Sequence, residues 1–228
     1  MIAVAAIVAV TCVLLGFWQL RRLDDRRERN AAILDRRSAE PIAIEDAAPD
    51  PDALPYRRAT AAGTYDAAHE VLLYGRTLDG ASGHHVVTPL LLSGGGAILV
   101  DRGWVPFAVQ RAPVRTGTPP STPVTVEGSL LPDEGDGSSR PDAAGVVRRL
   151  DVDGIAASLP YDVYPLPLLL SAQSPPQDGP LPTAAPPSTP SEGPHLSYAI
   201  QWFSFAAIAV GGAALLLRRD RRRARCSP

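Results

Sequence analysis

The chain has 228 residues, of which 45% are hydrophobic and 20% are charged, and its formal net charge is −2. Residues 30–197 carry 11 Arg against 20 acidic residues, and a net-negative region without a basic patch argues against nucleic acid as a partner. The two cysteines, Cys12 and Cys226, lie outside that region, which excludes a disulfide framework and a CxxC metal or haem-attachment site within it.

The N-terminal stretch, residues 1–20, is almost wholly apolar. Because about 20 apolar helical residues cross a bilayer core of about 30 Å, this stretch predicts a first transmembrane helix. It lacks the basic n-region of a secretory signal peptide, so we expect an anchor that is not cleaved. Residues 21–55 follow as a charged helical extension to about Ser38 and a loop with four prolines.

Residues 56–173 contain short β-like runs separated by turn residues, with one or two short helices. No strand–helix alternation is present, which disfavours a parallel α/β sheet. The pattern predicts a mainly antiparallel β domain, either a sandwich or a partial barrel, lying outside the membrane between two transmembrane helices. The predicted elements lie at 56–65, 70–77, 84–92, 97–107, 122–131, 148–160 and 161–171.

The stretch DRGWVP, residues 101–106, is one candidate functional segment. Gly103 within a strand indicates a bulge or a close backbone approach. Arg102 beside Trp104 could form an aromatic–cationic face. The alternative is a core Trp with a surface Arg, and the residues alone leave both open.

Other chemistry is not indicated by the sequence. His84 and His85 are neighbours on a predicted strand, so their side chains point to opposite faces and cannot chelate one metal together. No nucleophile or acid–base constellation is recognisable, and we expect a protein that is not an enzyme. Neither apolar stretch has a charge in its interior, which argues against a transporter.

The C-terminal part predicts a second membrane crossing. Residues 174–194, with eight prolines, are expected to form a tether, and residues 195–217 a second transmembrane helix. Residues 218–228 form a basic tail, with six Arg and one Asp within 218–225. This excess exceeds that of the mixed-charge flank at 21–29, so the positive-inside rule places both termini in the cytoplasm and the central domain outside.

Aromatic and imidazole side chains lie at the start of the second helix. His195, Tyr198, Trp202 and Phe205 fall at i, i+3, i+7 and i+10, within an arc of roughly 80°. Three interpretations remain open: an interfacial aromatic belt, a helix-packing surface continued by small residues deeper in the helix, or a site for a flat apolar ligand such as haem with His195 as axial ligand.

Four motifs resemble one known family. The first, at the end of the first apolar stretch, is LGFWQLRRLDDR (15–26), and the second is GTYD (63–66) with the run at 72–90. The third is AILVDRGWVP (97–106) and the fourth is GPHLSYAIQWFSFA (193–206), and the four occur in the order found in that family. Together they resemble the surfeit locus protein 1 family of cytochrome c oxidase assembly factors, in a bacterial, actinobacterial-type form.

The resemblance implies a non-enzymatic factor, anchored in the cell membrane, that helps to build the aa3-type oxidase of the respiratory chain. It implies assistance with haem a insertion into the catalytic subunit, and transient haem a binding. The implied partners are oxidase subunits, the haem a synthesis machinery and membrane lipid. The alternative is a cofactor-free membrane module that docks on an oxidase subunit and stabilises it.

The resemblance also assigns residues. Its second-helix histidine matches His195, the expected axial ligand of haem a, and the aromatic side chains of the same face would line the ligand or the oxidase-facing surface. Gln19 and its neighbour would end at the same interface and share one pocket with that face. The expected site residues for the cofactor are His195, Tyr198, Trp202 and Phe205. Those expected for interaction or structure are Trp18, Gln19, Arg102, Gly103 and Trp104, with Arg102 and Trp104 where the domain meets the membrane or a haem propionate.

Overall fold

The computed structural model describes residues 2–225, so Cys226 and the end of the predicted 218–228 tail lie outside the described residues. The described residues form two units, one made by the chain up to Ile33 and from Thr189 onward, and one by Leu34–Ser188. Three α-helices, eight strands and two short 3-10 helices make up the described chain. The helices are α1 (Ile2–Ser38), α2 (Val152–Ala156) and α3 (His195–Arg225), and the 3-10 turns lie at Ile44–Asp46 and Ala67–His69.

The first unit is a pair of long helices. Helix α1 runs without interruption from its apolar half through its charged half to Ser38, and α3 begins at His195 directly after Pro194. Pro fits the start of a helix because an N–H at this position would form no hydrogen bond within the helix, so nothing is lost when it is missing. Both helices are long and apolar enough to cross a membrane. Many of their large apolar side chains are exposed, which fits lipid surroundings.

The two helices pack through small residues. Along α1, the buried positions are spaced alternately three and four residues apart, the spacing of a continuous packing stripe. At Gly16 a Cβ would lie 2.7 Å from the ring of Phe203, so only glycine lets the ring rest on the α1 backbone. The stripe on α1 is Ala9, Cys12, Gly16, Gln19 and Leu23, and α3 buries Ala199 and Ala206.

The second unit is a strand-rich domain containing a partial five-stranded barrel. Its strand order is β1-β2-β6-β8-β5-β4-β3-β7, and a further pairing of β2 with β4 brings the ends of the five central strands together. Pairings among these five are antiparallel except β5 with β8, which is parallel. The predicted fold class is therefore confirmed. The strands are β1 (Ile42–Ala43), β2 (Arg58–Tyr65), β3 (Val71–Leu78), β4 (Ala81–Leu92), β5 (Ala97–Pro106), β6 (Val124–Leu130), β7 (Val146–Val147) and β8 (Leu168–Ser174).

Alternating side chains of the strands fill the barrel. In β2 every second residue is buried, as the period of two requires. A second apolar cluster lies where α2 covers the sheet, and Asp151 caps α2 by accepting a hydrogen bond from the Gly154 N–H. The barrel cluster includes Ala59, Ala61, Leu90, Ile98, Val100, Val126 and Leu168, and the second cluster includes Leu73, Val87, Leu99, Leu150 and Ile155.

The proline-rich segment differs from a free tether in its first half. Thr183 exchanges two backbone hydrogen bonds with Trp104, at 2.7 and 2.8 Å, and Leu181 packs against an apolar cluster of the domain. The composition suggested a segment unable to bury a core, but the open edge of β5 supplies backbone partners that proline-rich composition alone does not reveal. Residues 177–185 therefore belong structurally to the domain.

Candidate functional site at the mouth of the helix pair

His195, the first residue of α3, is held by the side chain of Gln19 on α1. Its Nδ1 lies 2.9 Å from the amide oxygen of Gln19. An amide oxygen can only accept, so Nδ1 carries a proton, and in the neutral imidazole the lone pair is on Nε2. Gln19 is itself buried between the helices, and this hydrogen bond offsets the cost of placing an amide among apolar side chains.

The segment just before His195 is held by further contacts with α1. Arg27 binds both carboxylate oxygens of Glu192, at 2.9 and 3.1 Å, and Arg26 Nε donates to the carbonyl oxygen of Ser191. Gly193 then turns the chain with a φ of 70°, and a Cβ there would lie 3.5 to 3.6 Å from the Cδ2–Nε2 edge of the imidazole. Glycine keeps that edge of the ring uncovered on this side.

The four side chains predicted on one face are divided between two directions. His195 turns toward α1, whereas Tyr198 and Phe205 are 47% and 43% exposed on the outward side. Trp202 is partly buried and meets Phe205 edge to face, with ring centroids 5.9 Å apart. Helix α1 packs on the Ala199 side of α3, about a quarter of a turn from the aromatic stripe, which explains the division.

The first helix contributes one inward and one outward side chain. Gln19 meets His195, as a shared pocket requires, whereas Trp18 is exposed and its ring faces the guanidinium of Arg22 at 5.7 Å. The mouth of the helix pair, that is, the start of α3 at His195 and the part of α1 around Gln19, thus combines an oriented imidazole, exposed aromatic rings and a cation. The roles assigned to these residues stay predictions.

Arg102 lies inside the β domain. Its Nη1 lies 3.1 Å from Glu70 Oε2, both side chains are buried, and the ring of Tyr65 faces the guanidinium at 5.4 Å. Burial raises the pKa of Glu70 and lowers that of Arg102, and their mutual attraction opposes both shifts. Arg102 Nη2 also donates to the carbonyl oxygen of Gly117 and to Gln177 Oε1.

The segment around Gly103 differs from both alternatives expected for it. Arg102 lies in the interior because Glu70 compensates its charge, and its aromatic partner is Tyr65. Trp104 is partly exposed. The predicted bulge is present: Gly103 has a φ of 116°, beside a register shift between β4 and β5. A Cβ at Gly103 would overlap the carbonyl oxygen of Thr183.

A family model described as the SURF1 family matches residues 6–207. The chain belongs to the SURF1 family. A SURF1-like protein from Monosiga brevicollis is 28% identical over 223 residues, covering 92% of this chain and 84% of the relative. An uncharacterised SURF1-like protein from Mycobacterium tuberculosis is 29% identical over 240 residues, covering 97% and 84%. A SURF1-like protein from Rickettsia bellii is 31% identical over 127 residues, covering 55% and 51%.

The four motifs that indicated the SURF1 family lie on distinct elements of the structure. The first and last lie on α1 and at the start of α3, where they supply Gln19 and His195, and the others lie in strands β2 to β5 of the β domain. Sequence reasoning missed Glu70, whose run of apolar neighbours gave no sign of a buried carboxylate. Within the part of the chain that the structure describes, no cluster of three or more metal-ligating side chains is present.

Proposed function

We propose that this SURF1-family protein is an assembly factor of the aa3-type cytochrome c oxidase and that it assists haem a insertion into the catalytic subunit. Its two helices anchor it in the cell membrane, in contact with lipid. The basic residues after α3 favour cytoplasmic termini, with the β domain on the outer side. Oxidase subunits and the haem a synthesis machinery are the proposed partners.

The hydrogen bond between His195 and Gln19 carries the haem part of the proposal. A histidine that ligates a metal through one ring nitrogen commonly donates its other N–H to an oxygen acceptor, which fixes the tautomer and the ring orientation. Gln19 provides that acceptor at 2.9 Å. Haem a supplies, when bound, an iron that takes neutral imidazole as an axial ligand.

The surroundings of His195 also fit a flat, largely apolar ligand with acidic substituents. Tyr198, Trp202 and Phe205 offer aromatic surface along α3, and Trp18 offers another ring on α1. Arg22, beside Trp18, provides a cation for a carboxylate. These side chains would bind and orient the ligand, while Gln19 holds the proton of His195 at Nδ1.

The exposed aromatic stripe also supports a second candidate function, a cofactor-free module that docks on an oxidase subunit. Tyr198 and Phe205 are about half exposed, and aromatic side chains of this kind frequently anchor protein interfaces. In this alternative His195 and Gln19 only join the two helices through one interhelical hydrogen bond.

Co-expression with haem a synthesis separates the two functions. We expect the purified protein to retain haem with a Soret band, and the His195→Ala variant to lose it while keeping its helical content. Leu196→Ala, an exposed neighbour on the same turn, is the matched control and should retain haem. Equal haem content in the wild type, His195→Ala and Leu196→Ala would refute axial ligation by His195.

Deletion of the gene tests the assembly role independently of haem binding. Reduced-minus-oxidised spectra of the membranes should show a loss of the aa3-type oxidase signal, which the wild-type gene restores. An unchanged oxidase signal in the deletion strain would refute the assembly role. Full rescue by His195→Ala, combined with no haem on the purified protein, would favour the cofactor-free module.

A further inference from the structure

The β domain carries an open groove of about 570 Å³ that the functions above do not use. One wall is aromatic: the rings of His84 and Phe107 stack with centroids 5.2 Å apart, and Tyr74 meets Phe107 edge to face at 6.1 Å. Tyr74 and Phe107 are each 46% exposed. Two large, half-exposed rings side by side form an apolar surface that a partner can cover.

The rest of the groove lining includes cationic and polar side chains. Arg140 and Arg148 line the groove with Gln110, Ser138 and Ser139. Within the described residues neither Arg forms an ion pair, and the guanidinium of Arg148 lies 5.8 Å from the ring of Tyr74. Two cations without a carboxylate partner are notable in a region with 20 acidic residues against 11 Arg.

The one carboxylate at the groove is already engaged by the backbone. Asp142 accepts hydrogen bonds from the N–H groups of Val146 and Ala144, at 2.9 and 2.8 Å, and these bonds lower its pKa. It therefore shapes the loop that carries Arg140. The charge of Arg148 also lowers the pKa of Asp142, but within the described residues no ion pair joins either guanidinium of the groove to this carboxylate. Charge complementarity favours a carboxylate-bearing ligand.

His84 adds a buried polar group to the same groove. The residue is 3% exposed, and within the described residues its Nδ1 is enclosed without a hydrogen-bond partner. Burial lowers the pKa of this imidazole, so it is neutral at pH 7. The neutral ring carries one N–H donor and one lone-pair acceptor, so it acts as a polar group without a charge.

An open strand edge runs beside the groove. Strand β7 pairs with β3 only at Leu72 and Leu73, and Val146 of β7 lines the groove. From Tyr74 onward the outer edge of β3 has no strand partner among the described residues. Open edges of this kind accept an extended peptide through main-chain hydrogen bonds, while neighbouring pockets take its alternate side chains.

We propose that this groove binds an extended acidic segment of a partner protein, with an apolar or aromatic side chain against Tyr74 and Phe107 and carboxylates against Arg140 and Arg148. Aromatic and Arg side chains together are typical of the central residues of protein interfaces. The groove is also larger than a single small anion requires. The groove shares no residue with the site at His195, so the proposal stands whether or not the protein binds haem.

The test uses the full chain in detergent and a short fluorescein-labelled peptide in which Phe and Glu alternate. We expect saturable binding by fluorescence anisotropy, and at least tenfold weaker binding of the isosteric peptide in which Phe and Gln alternate. Arg148→Gln should weaken the acidic peptide by about tenfold. Its matched control is Arg149→Gln, because Arg149 is exposed but does not line the groove.

Three outcomes would overturn the proposal. Equal binding of the Glu and Gln peptides would remove the role of charge, and an equal loss in the Arg148 and Arg149 variants would show non-specific attraction. Competition by phosphatidylglycerol added to the detergent micelles that equals competition by unlabelled peptide would assign the groove to anionic lipid. Phe107→Ala, a change at an exposed ring, should weaken the peptide without lowering the thermal stability of the domain.

Discussion

Replacing Glu70 by glutamine removes one charge from the buried Glu70–Arg102 pair while preserving the size of the side chain. In the wild type Glu70 accepts from Arg102 Nη1, from the Val114 N–H and from the Thr88 hydroxyl. The amide oxygen of the variant can still accept from some of these donors. The guanidinium, however, remains buried without a counter-charge.

The expected cost follows from the burial of both partners. Removing one partner of a buried ion pair destabilises a protein by about 3–5 kcal/mol. Because Arg102 keeps its bonds to Gly117 and Gln177, we expect the lower end, about 3 kcal/mol. At about 2–4 °C per kcal/mol for a domain of this size, the midpoint should fall by roughly 6–12 °C.

Thermal unfolding of the full chain in detergent, followed by circular dichroism, measures this shift. Glu127→Gln is the matched control, since Glu127 forms an exposed pair with Arg58 that is worth at most about 1 kcal/mol. The Glu70→Gln, Arg102→Met double variant should be less destabilised than the sum of the single variants, because it leaves no lone charge. A Glu70→Gln midpoint equal to that of Glu127→Gln would refute the reasoning.

Three further predictions concern other parts of the molecule. Gly103→Ala should lower the free energy of unfolding by roughly 1–3 kcal/mol in urea and expose residues 177–185 to protease, because the φ of Gly103 and the nearby Thr183 oxygen exclude a Cβ. Gly94→Ala, in open space, should change little in the same two assays. Because burial lowers the pKa of His84, the unfolded chain binds the imidazole proton more readily than the folded chain does, so the contribution of His84 to stability should be constant above about pH 6.5 and fall below it. Urea unfolding at several pH values should show a smaller fall in the free energy of unfolding for His84→Phe than for the wild type, and an equal fall would contradict this. Gln19→Leu should lower the haem that the protein retains, after co-expression with haem a synthesis and purification, by about tenfold, because it removes the acceptor that holds the ligating imidazole. Gln201→Leu, an exposed position near the start of α3, should retain haem, and equal losses in the two variants would contradict a special role of the Gln19 amide.

Local patterns predicted the elements well because their causes are local. The alternation in Arg58–Tyr65 follows from the pleat of a half-buried strand, and Pro194 and His195 open α3 because Pro tolerates that position. The charged half of α1 continues the helix to Ser38 because its residues are good helix formers. Each of these features depends on neighbours within a few positions.

Features that depend on distant partners could not be predicted in the same way. The burial of Arg102 depends on Glu70, which lies 32 positions away in the sequence, and the docking of the proline-rich segment depends on the Trp104–Thr183 backbone pair. Strand propensity alone does not indicate that β8 lies beside β5 in parallel.

The candidate site shows the same limit. Helical periodicity placed His195 with Tyr198, Trp202 and Phe205, but it could not show which side of α3 packs on α1. Only the structure brings Gln19, 176 positions away, to Nδ1 of His195. The family resemblance selected the residues, and the geometry between the helices determines how the imidazole is oriented.

The position of β8 has a consequence for the order of folding. This last strand, Leu168–Ser174, lies between β6 and β5 in the middle of the sheet. A chain growing from the ribosome therefore lacks a central member of its barrel until almost the whole domain has been synthesised. Strands β3, β4 and β5 can form hairpins earlier, and β2 can pair with β4 and β6, but the gap between β5 and β6 stays open until β8 emerges. Premature termination before Leu168 should leave two exposed strand edges, which makes the shortened chain prone to aggregation.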